Sequence, residues 1–237
     1  MASIGTPEGA QFNPHFQVGL NVAGRRCLVI GGGAEALDKT LRLLDARARV
    51  LLVAPELCAG LADLQAAGRV DWRQRRYRSD DLRGACLIIN TERSDPVLCE
   101  RVFTAAQRSR IPINTYDLPQ YSTLAMAALV TCGHLRISIS TSNAAPAAAG
   151  RLRRDLADLL AGTPDLEEFM AVLGEIRGLA KQHVANPGER RALLRGLASG
   201  LRLHGTIELP RGWRNRLASV EAQLRQHPQP GGGDGIP

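Results

Sequence analysis

The sequence predicts an α/β fold: a parallel sheet wound on both faces by helices, then a small α+β segment and a C-terminal helical region. Three observations predict it. Short apolar runs alternate with helix-period segments from Val22 to about Ile113, which is the pattern of parallel βαβ units. Glycines punctuate the first strand-to-helix junction in "CLVIGGGAEALDKTLRLL", Cys27 to Leu44. Beyond Pro146 the apolar positions recur only at helical spacing.

The strands predicted for the sheet are Cys27–Ile30, Val50–Ala54, Val70–Trp72, Leu87–Asn90 and Ile111–Asn114. The helix after the glycines places Leu37, Leu41 and Leu44 on one face, with Lys39, Arg42 and Asp45 turned away. A later helix carries Leu98, Val102 and Ala105 on its buried side. "LRISIS" (Leu135–Ser140) alternates strictly after a Cys-Gly-His turn and reads as a hairpin strand with Leu135, Ile137 and Ile139 on its buried face. Four helical stretches follow, with Leu152, Leu156 and Leu159; Phe169, Leu173 and Ile176; Leu193, Leu197 and Leu201; then Trp213, Leu217, Val220 and Leu224. The expected division is 1–113, the sheet domain; 114–163, the small α+β segment; 164–226, helical; and 227–237, "PQPGGGDGIP" with its preceding His227, a disordered tail.

Composition narrows the function classes. The 237 residues are 44% hydrophobic and 22% charged, as in an ordinary soluble protein. Only 4% are aromatic, which disfavours stacking platforms for single-stranded nucleic acid. The net charge of +7 comes mostly from arginine and suits either a solvated basic surface or a polyanionic small substrate. Five scattered cysteines without a C-x-x-C pair indicate neither a zinc ribbon nor a disulfide framework, and the five histidines show no ligand spacing. No metal site is expected. The N-terminal residues lack the basic and apolar regions of a signal peptide, and no run approaches a membrane span, so the cytoplasm is the expected compartment.

The glycine turn carries the first functional signal. A strand, a glycine turn and a helix expose backbone N–H groups at a helix N-terminus, where they and the helix dipole favour a phosphate. Gly31, Gly33 and Ala36 occupy the three fixed positions of the dinucleotide pattern G-x-G-x-x-G/A, with Ala34 and Glu35 between the last two. An acid is expected some twenty residues on, past the second strand. Glu56, after Pro55, stands there and can bond an adenosine ribose, which favours NAD over NADP. The competing reading is a purely structural glycine turn. Glu35 opposes a bound diphosphate by charge, although it suits the empty helix dipole. Thr91, after the fourth strand of the sequence, stands at the carboxyl edge where such sheets bind dinucleotides; otherwise it is a loop hydroxyl capping the next turn.

Taken together, these stretches resemble the precorrin-2 dehydrogenase and sirohydrochlorin ferrochelatase family, the module of siroheme synthesis. "VIGGGAEALDK" with Lys39, "VAPEL", "DDLRGACLIINTE", "INTYDLPQYSTLAMAALV", "LRISISTSNAAPAAAGRLRRDL" and "NPGERRALL" carry the resemblance over about residues 12 to 205. The N-x-x-D-x-P signature, here Asn114, Asp117 and Pro119, is its most specific part. The resemblance implies a Rossmann-like domain, NAD as cofactor, oxidation of the tetrapyrrole precorrin-2 to sirohydrochlorin, and in some members insertion of ferrous iron. It implies that 1–113 is the NAD-binding domain and that 114–163 is a dimerisation and active-site segment, exchanged in a homodimer, with Asp117 as the base of both steps. It also places Asn114 and the loop residues Thr141, Ser142 and Asn143 toward the tetrapyrrole. By residue type alone, an aspartate such as Asp117 before Leu-Pro is most often a turn former or cap.

The sequence also departs from that family. Its helix ends in A-G-A where this chain has Ala46, Arg47 and Ala48, so Arg47 in a left-handed cap costs roughly 1 kcal/mol against glycine. The family's S-T-G-G-x-S-P loop is "STSNAAP", with Ser142 and Asn143 for the glycines and Ala145 for the serine. Gln120 replaces a basic residue, Glu35 a small apolar one, and the aspartates usual near Glu92 are altered. Two readings follow: a divergent enzyme, or a tetrapyrrole- or heme-binding protein on the same fold without redox chemistry. A nucleic-acid regulator would rest on the basic run "RQRRYR", Arg73 to Arg78, but charges on an edge strand also block pairing with other chains, and no helix-turn-helix supports DNA reading.

Overall fold

The computed structural model describes residues 16–142, 144–205, 209–212, 214–216 and 218–220. Backbone contacts divide the chain into two compact units, 1–171 and 172–237. Asn143, Trp213, Leu217, Leu224 and the 227–237 tail lie outside the described residues.

The first unit is built on a five-stranded sheet in the order β3-β2-β1-β4-β5, with β1 (Arg26–Ile30), β2 (Arg49–Ala54), β3 (Asp71–Gln74), β4 (Ala85–Asn90) and β5 (Ile113–Thr115). Every neighbouring pair is parallel. Helices α1 (Ala34–Asp45), α2 (Ala59–Ala66) and α3 (Pro96–Arg108) supply crossovers. Alternation along β1 explains the layering. Cys27 and Val29 pack with Ala36, Leu43 and Leu61 of α1 and α2, whereas Leu28 and Ile30 pack with Val102 and Ala106 of α3. A strand buried on both faces reads as one continuous apolar run, which is why β1, β2 and β4 are visible in the sequence.

The face expected for α1 is displaced by one position. Ala36, Thr40 and Leu43 are its buried residues, while Leu41 is 49% exposed and Leu37 and Leu44 flank the stripe. In α3 the buried set is Cys99, Val102 and Ala106, with Leu98 and Ala105 beside it. Helix α2 follows no clear period and was not expected; Leu61 is its one buried residue among those described.

The α1 terminus does adopt a left-handed closure at Arg47, with φ of 59°. Its N–H donates to the Leu44 carbonyl, and the Ala48 N–H reaches back to Leu43. Cys27 and Cys86 approach on neighbouring strands, Sγ to Sγ 3.8 Å, and burial first and Cys86 second push the Cys27 thiol up to about 12. All five cysteines are free.

After the sheet, β6 (Ala128–Cys132) and β7 (Leu135–Ile139) form an antiparallel hairpin. Leu135, Ile137 and Ile139 share its inner face and pack with Val130, Leu160 and Leu166. The helix α4 (Pro146–Ala161) thus buries Leu160, one position from the expected Leu159, which is exposed. Helix α5 spans Leu166–His183. In the second unit, α6 (Pro187–Ala198) is capped by Asn186, whose side chain accepts from Gly188 and Glu189 N–H groups, and Arg190 donates to the Val184 and Ala185 carbonyls. Leu193, Leu197 and Leu201, expected on its buried face, are exposed, as is Phe169 of α5. Among the described residues no helix is long and apolar enough to cross a membrane.

Candidate functional site

The chain order reverses at β1, whose neighbours are β2 and β4, so a crevice opens beyond the carboxyl ends of β1 and β4. Gly31 and Thr91 meet there. Gly31 has φ of +115°, and a Cβ at its position would lie 2.1 Å from Thr91 Oγ1. The Thr91 hydroxyl itself donates to the Ile30 carbonyl at 2.9 Å, so it braces the turn. Gly32, a free position of the dinucleotide pattern, is also sterically required: a Cβ would stand 1.8 Å from the Glu56 carbonyl oxygen. The Cys58 N–H then closes on the Gly32 carbonyl at 2.7 Å.

Gly33 is different. A Cβ there would meet nothing within 4 Å, and Gly33 caps α1 without any side-chain hydrogen bond. The N-terminal amides of α1, beginning at Ala34, therefore face open space beside the switch point, as an anion site needs. Pro55 and Glu56 follow β2 directly and are exposed at the same edge of the sheet. This donor set fits a dinucleotide: amides and a helix dipole for the diphosphate, a carboxylate for ribose hydroxyls.

Glu35 is held by neighbours. Lys39 lies 3.6 Å away, one helical turn on. The Glu35 carboxylate pushes the Tyr116 hydroxyl above its ordinary value, against the opposing Arg93. The Tyr116 ring is approached by Lys39 Nζ at 5.7 Å and the Arg93 guanidinium at 5.4 Å from its centroid.

Asp117, the next residue, has φ of 59° and pairs with Arg93, Nη1 to Oδ2 2.6 Å. It borders an open cleft of about 820 Å³, lined also by Lys39, Arg42, Asn114, Met126 and Pro146. Asn114 donates its side-chain amide to the Leu124 carbonyl at 3.1 Å, a structural bond at the cleft wall. Thr141 accepts from the Ala145 N–H, and Ser142 takes the left-handed conformation, φ 52°. Neither lines that cleft, although Pro146 at the end of their loop does. Lys39, expected to point away, is largely buried by its partners and the cleft wall.

Sequence reasoning missed Tyr116 and Arg93. Tyr116 stands immediately beyond β5 and Arg93 three residues beyond β4, at the carboxyl edge of the sheet, which is the signal that could have marked them. The basic run from Arg73 to Arg78 begins on the edge strand β3, and Arg73 and Arg75 are both committed to the buried Asp81. Among the described residues no group of three or more His, Cys, Asp or Glu side chains could hold a metal ion.

Residues 18–128 match a family described as "Putative NAD(P)-binding". The siroheme synthase of Neisseria meningitidis serogroup C is 34% identical over 177 residues, 75% of this chain and 36% of that protein. Siroheme synthase 3 of Aeromonas hydrophila subsp. hydrophila is 34% identical, covering 74% of this chain and 37% of that protein. This chain thus spans little more than a third of the length of these relatives. Among solved structures, SirC, precorrin-2 dehydrogenase, superposes with a TM-score of 0.60 at 21% identity, covering 90% of this chain and 98% of that one, and shares its fold.

Proposed function

This chain belongs to the family of siroheme synthases and precorrin-2 dehydrogenases, and from that premise we propose that it oxidises precorrin-2 to sirohydrochlorin with NAD. The position of Lys39 carries the proposal: paired with Glu35 at 3.6 Å and 5.7 Å from the centre of the Tyr116 ring, it brings the residue before Asp117 beside the first turn of the cofactor helix. NAD, when bound, supplies the hydride acceptor. Gly31, Gly33, Ala34 and Glu35 bind the diphosphate through backbone amides, with Thr91 bracing the turn and Pro55 bordering it. Glu56 holds the adenosine ribose, and its charge disfavours the extra phosphate of NADP.

Oxidation removes one hydride and one proton from precorrin-2. Asp117 takes the proton as general base. The same carboxylate can take pyrrole N–H protons as ferrous iron, a second substrate, enters to give siroheme. Asn114, Thr141, Ser142 and Asn143 belong to the substrate side of this reading. We place the protein in the cytoplasm as a homodimer.

Incubation of the protein with precorrin-2 and NAD, followed by absorbance, tests this. Sirohydrochlorin and reduced nicotinamide should appear in equal amounts, and ferrous iron added afterwards should yield siroheme. Asp117→Ala should abolish oxidation with NAD affinity unchanged. Absence of any turnover rejects the enzyme.

A second reading, tetrapyrrole binding without redox chemistry, is favoured by two charges: Glu35 at the anion turn and Arg93 closed on Asp117. It requires a stoichiometric spectral shift with heme or sirohydrochlorin in a protein that fails to bind NAD.

A further inference from the structure

Arg93 stands three residues beyond β4 and Asp117 two beyond β5, so their ion pair joins the carboxyl ends of neighbouring strands at the cleft. Its side chains are 55% and 68% exposed. An ion pair so open to water contributes little, and it separates at little cost. It is poorly suited to be a structural clamp. The contrast within this unit is Asp81, fully buried under two arginines.

The cations that line the cleft with Asp117 are committed. Lys39 Nζ lies 2.6 Å from Asp38 and 3.6 Å from Glu35, and Arg42 donates to the Ala127 carbonyl at 3.1 Å. Arg93 is freer. Its guanidinium has five N–H donors in a planar fork, and among the described residues one of them is spent on Asp117. Its position beside the Tyr116 ring, at 5.4 Å, restricts where that fork can swing without using a donor. While the pair is closed, an oxygen of the proposed base is occupied by the guanidinium.

We propose that Arg93 is a carboxylate-exchange residue: on binding, its guanidinium passes from Asp117 to a peripheral acetate or propionate of the tetrapyrrole, leaving Asp117 free to take a proton. This rests on the function proposed above. The exchange swaps one carboxylate partner for another, so the net charge around Arg93 is conserved. The substrate's carboxylate can be gripped by two parallel N–H bonds, which the single bond to Asp117 does not use. A tetrapyrrole without its carboxylates would leave the pair closed and Asp117 occupied.

Uroporphyrin, a stable porphyrin with an acetate and propionate fringe, is the probe. Titration followed by fluorescence quenching should show weakening of about tenfold or more in Arg93→Ala, and an intermediate loss in Arg93→Lys, which keeps the charge but not the fork. NAD affinity and melting temperature should be unchanged in both. With precorrin-2, Arg93→Ala should raise KM by a similar factor. Asp117→Ala, which removes the competing carboxylate, should tighten uroporphyrin, and that gain should vanish in the Arg93→Ala background. Equal uroporphyrin affinity in wild type and Arg93→Ala overturns the exchange while leaving the proposed oxidation standing. A wild-type protein that binds NAD but neither uroporphyrin nor precorrin-2 overturns both.

Discussion

Lys39 stands over the Tyr116 ring, 5.7 Å from its centroid, while it pairs with Glu35 at 3.6 Å, tying the segment after β5 to the first turn of α1. The ion pair keeps a negative charge beside amides that would otherwise be available to a diphosphate alone. Glu35→Gln retains a hydrogen-bonding side chain and removes the charge. A charge in the first helical turn is worth about 0.3–1 kcal/mol, so NAD should bind roughly two- to fivefold more tightly in the variant. Calorimetric titration at low salt decides it, and an unchanged Kd would mean that Lys39 and Tyr116 already neutralise the site.

Adjacent glycines of the turn should separate folding from binding. Gly32→Ala drives a methyl into the Glu56 carbonyl, so it should lower stability by about 1–3 kcal/mol or more, read as a fall in urea midpoint. Gly33→Ala meets open space at an ordinary φ of −88°. It should melt near wild type yet lose most of its NAD affinity, because the methyl takes the space of the diphosphate. If Gly33→Ala binds NAD normally, the diphosphate does not lie against this glycine.

What could be read from sequence follows from how much of the signal is local. The apolar runs of β1, β2 and β4 and the period of β7 are local, and so is the glycine turn. The helix faces were missed by one position in α1 and α4 because counting leucines overlooks small and polar residues at buried positions, here Ala36, Thr40 and Ala149. Arg93 and Asp117 are separated by 24 residues and meet only because β4 and β5 are neighbours. No spacing rule pairs them. Asp117 itself was marked by resemblance, since an aspartate before Leu-Pro is ordinary turn chemistry.

Arg47 is a residue whose cost is backbone strain. Its φ of 59° closes α1, and its carbonyl accepts the Gly24 N–H at 2.8 Å. The side chain is exposed and contributes no described hydrogen bond. Arg47→Gly removes the Cβ penalty of about 1–2 kcal/mol, offset by the greater freedom of glycine in the unfolded chain. A net gain of about 0.5–1 kcal/mol should appear in urea unfolding, with NAD binding unaffected. Loss of stability would show that the guanidinium has a role beyond its backbone.

Asp81 should make the sheet acid-labile. Burial raises its carboxyl, but hydrogen bonds from Arg75, from the Arg78 N–H and from Arg73 outweigh burial and hold it at about 2, against an ordinary value of 3.8. The Arg75 contacts are 2.7 and 2.8 Å, and the Arg78 N–H lies 2.8 Å from Oδ2. A folded value below the unfolded one means that this stability is fully present above about pH 4 and is lost as the pH falls from there through about 2. Discounted for the partly exposed guanidinium groups, the contribution is about 1–2 kcal/mol. Asp81→Asn should cost about 1–3 kcal/mol at pH 7, because two partly exposed arginines are left facing a neutral amide. Between pH 5 and pH 2.5 its urea midpoint should fall less than that of wild type, since the titrating group is gone. Parallel acid slopes in the two proteins would show that Asp81 does not set the acid limit.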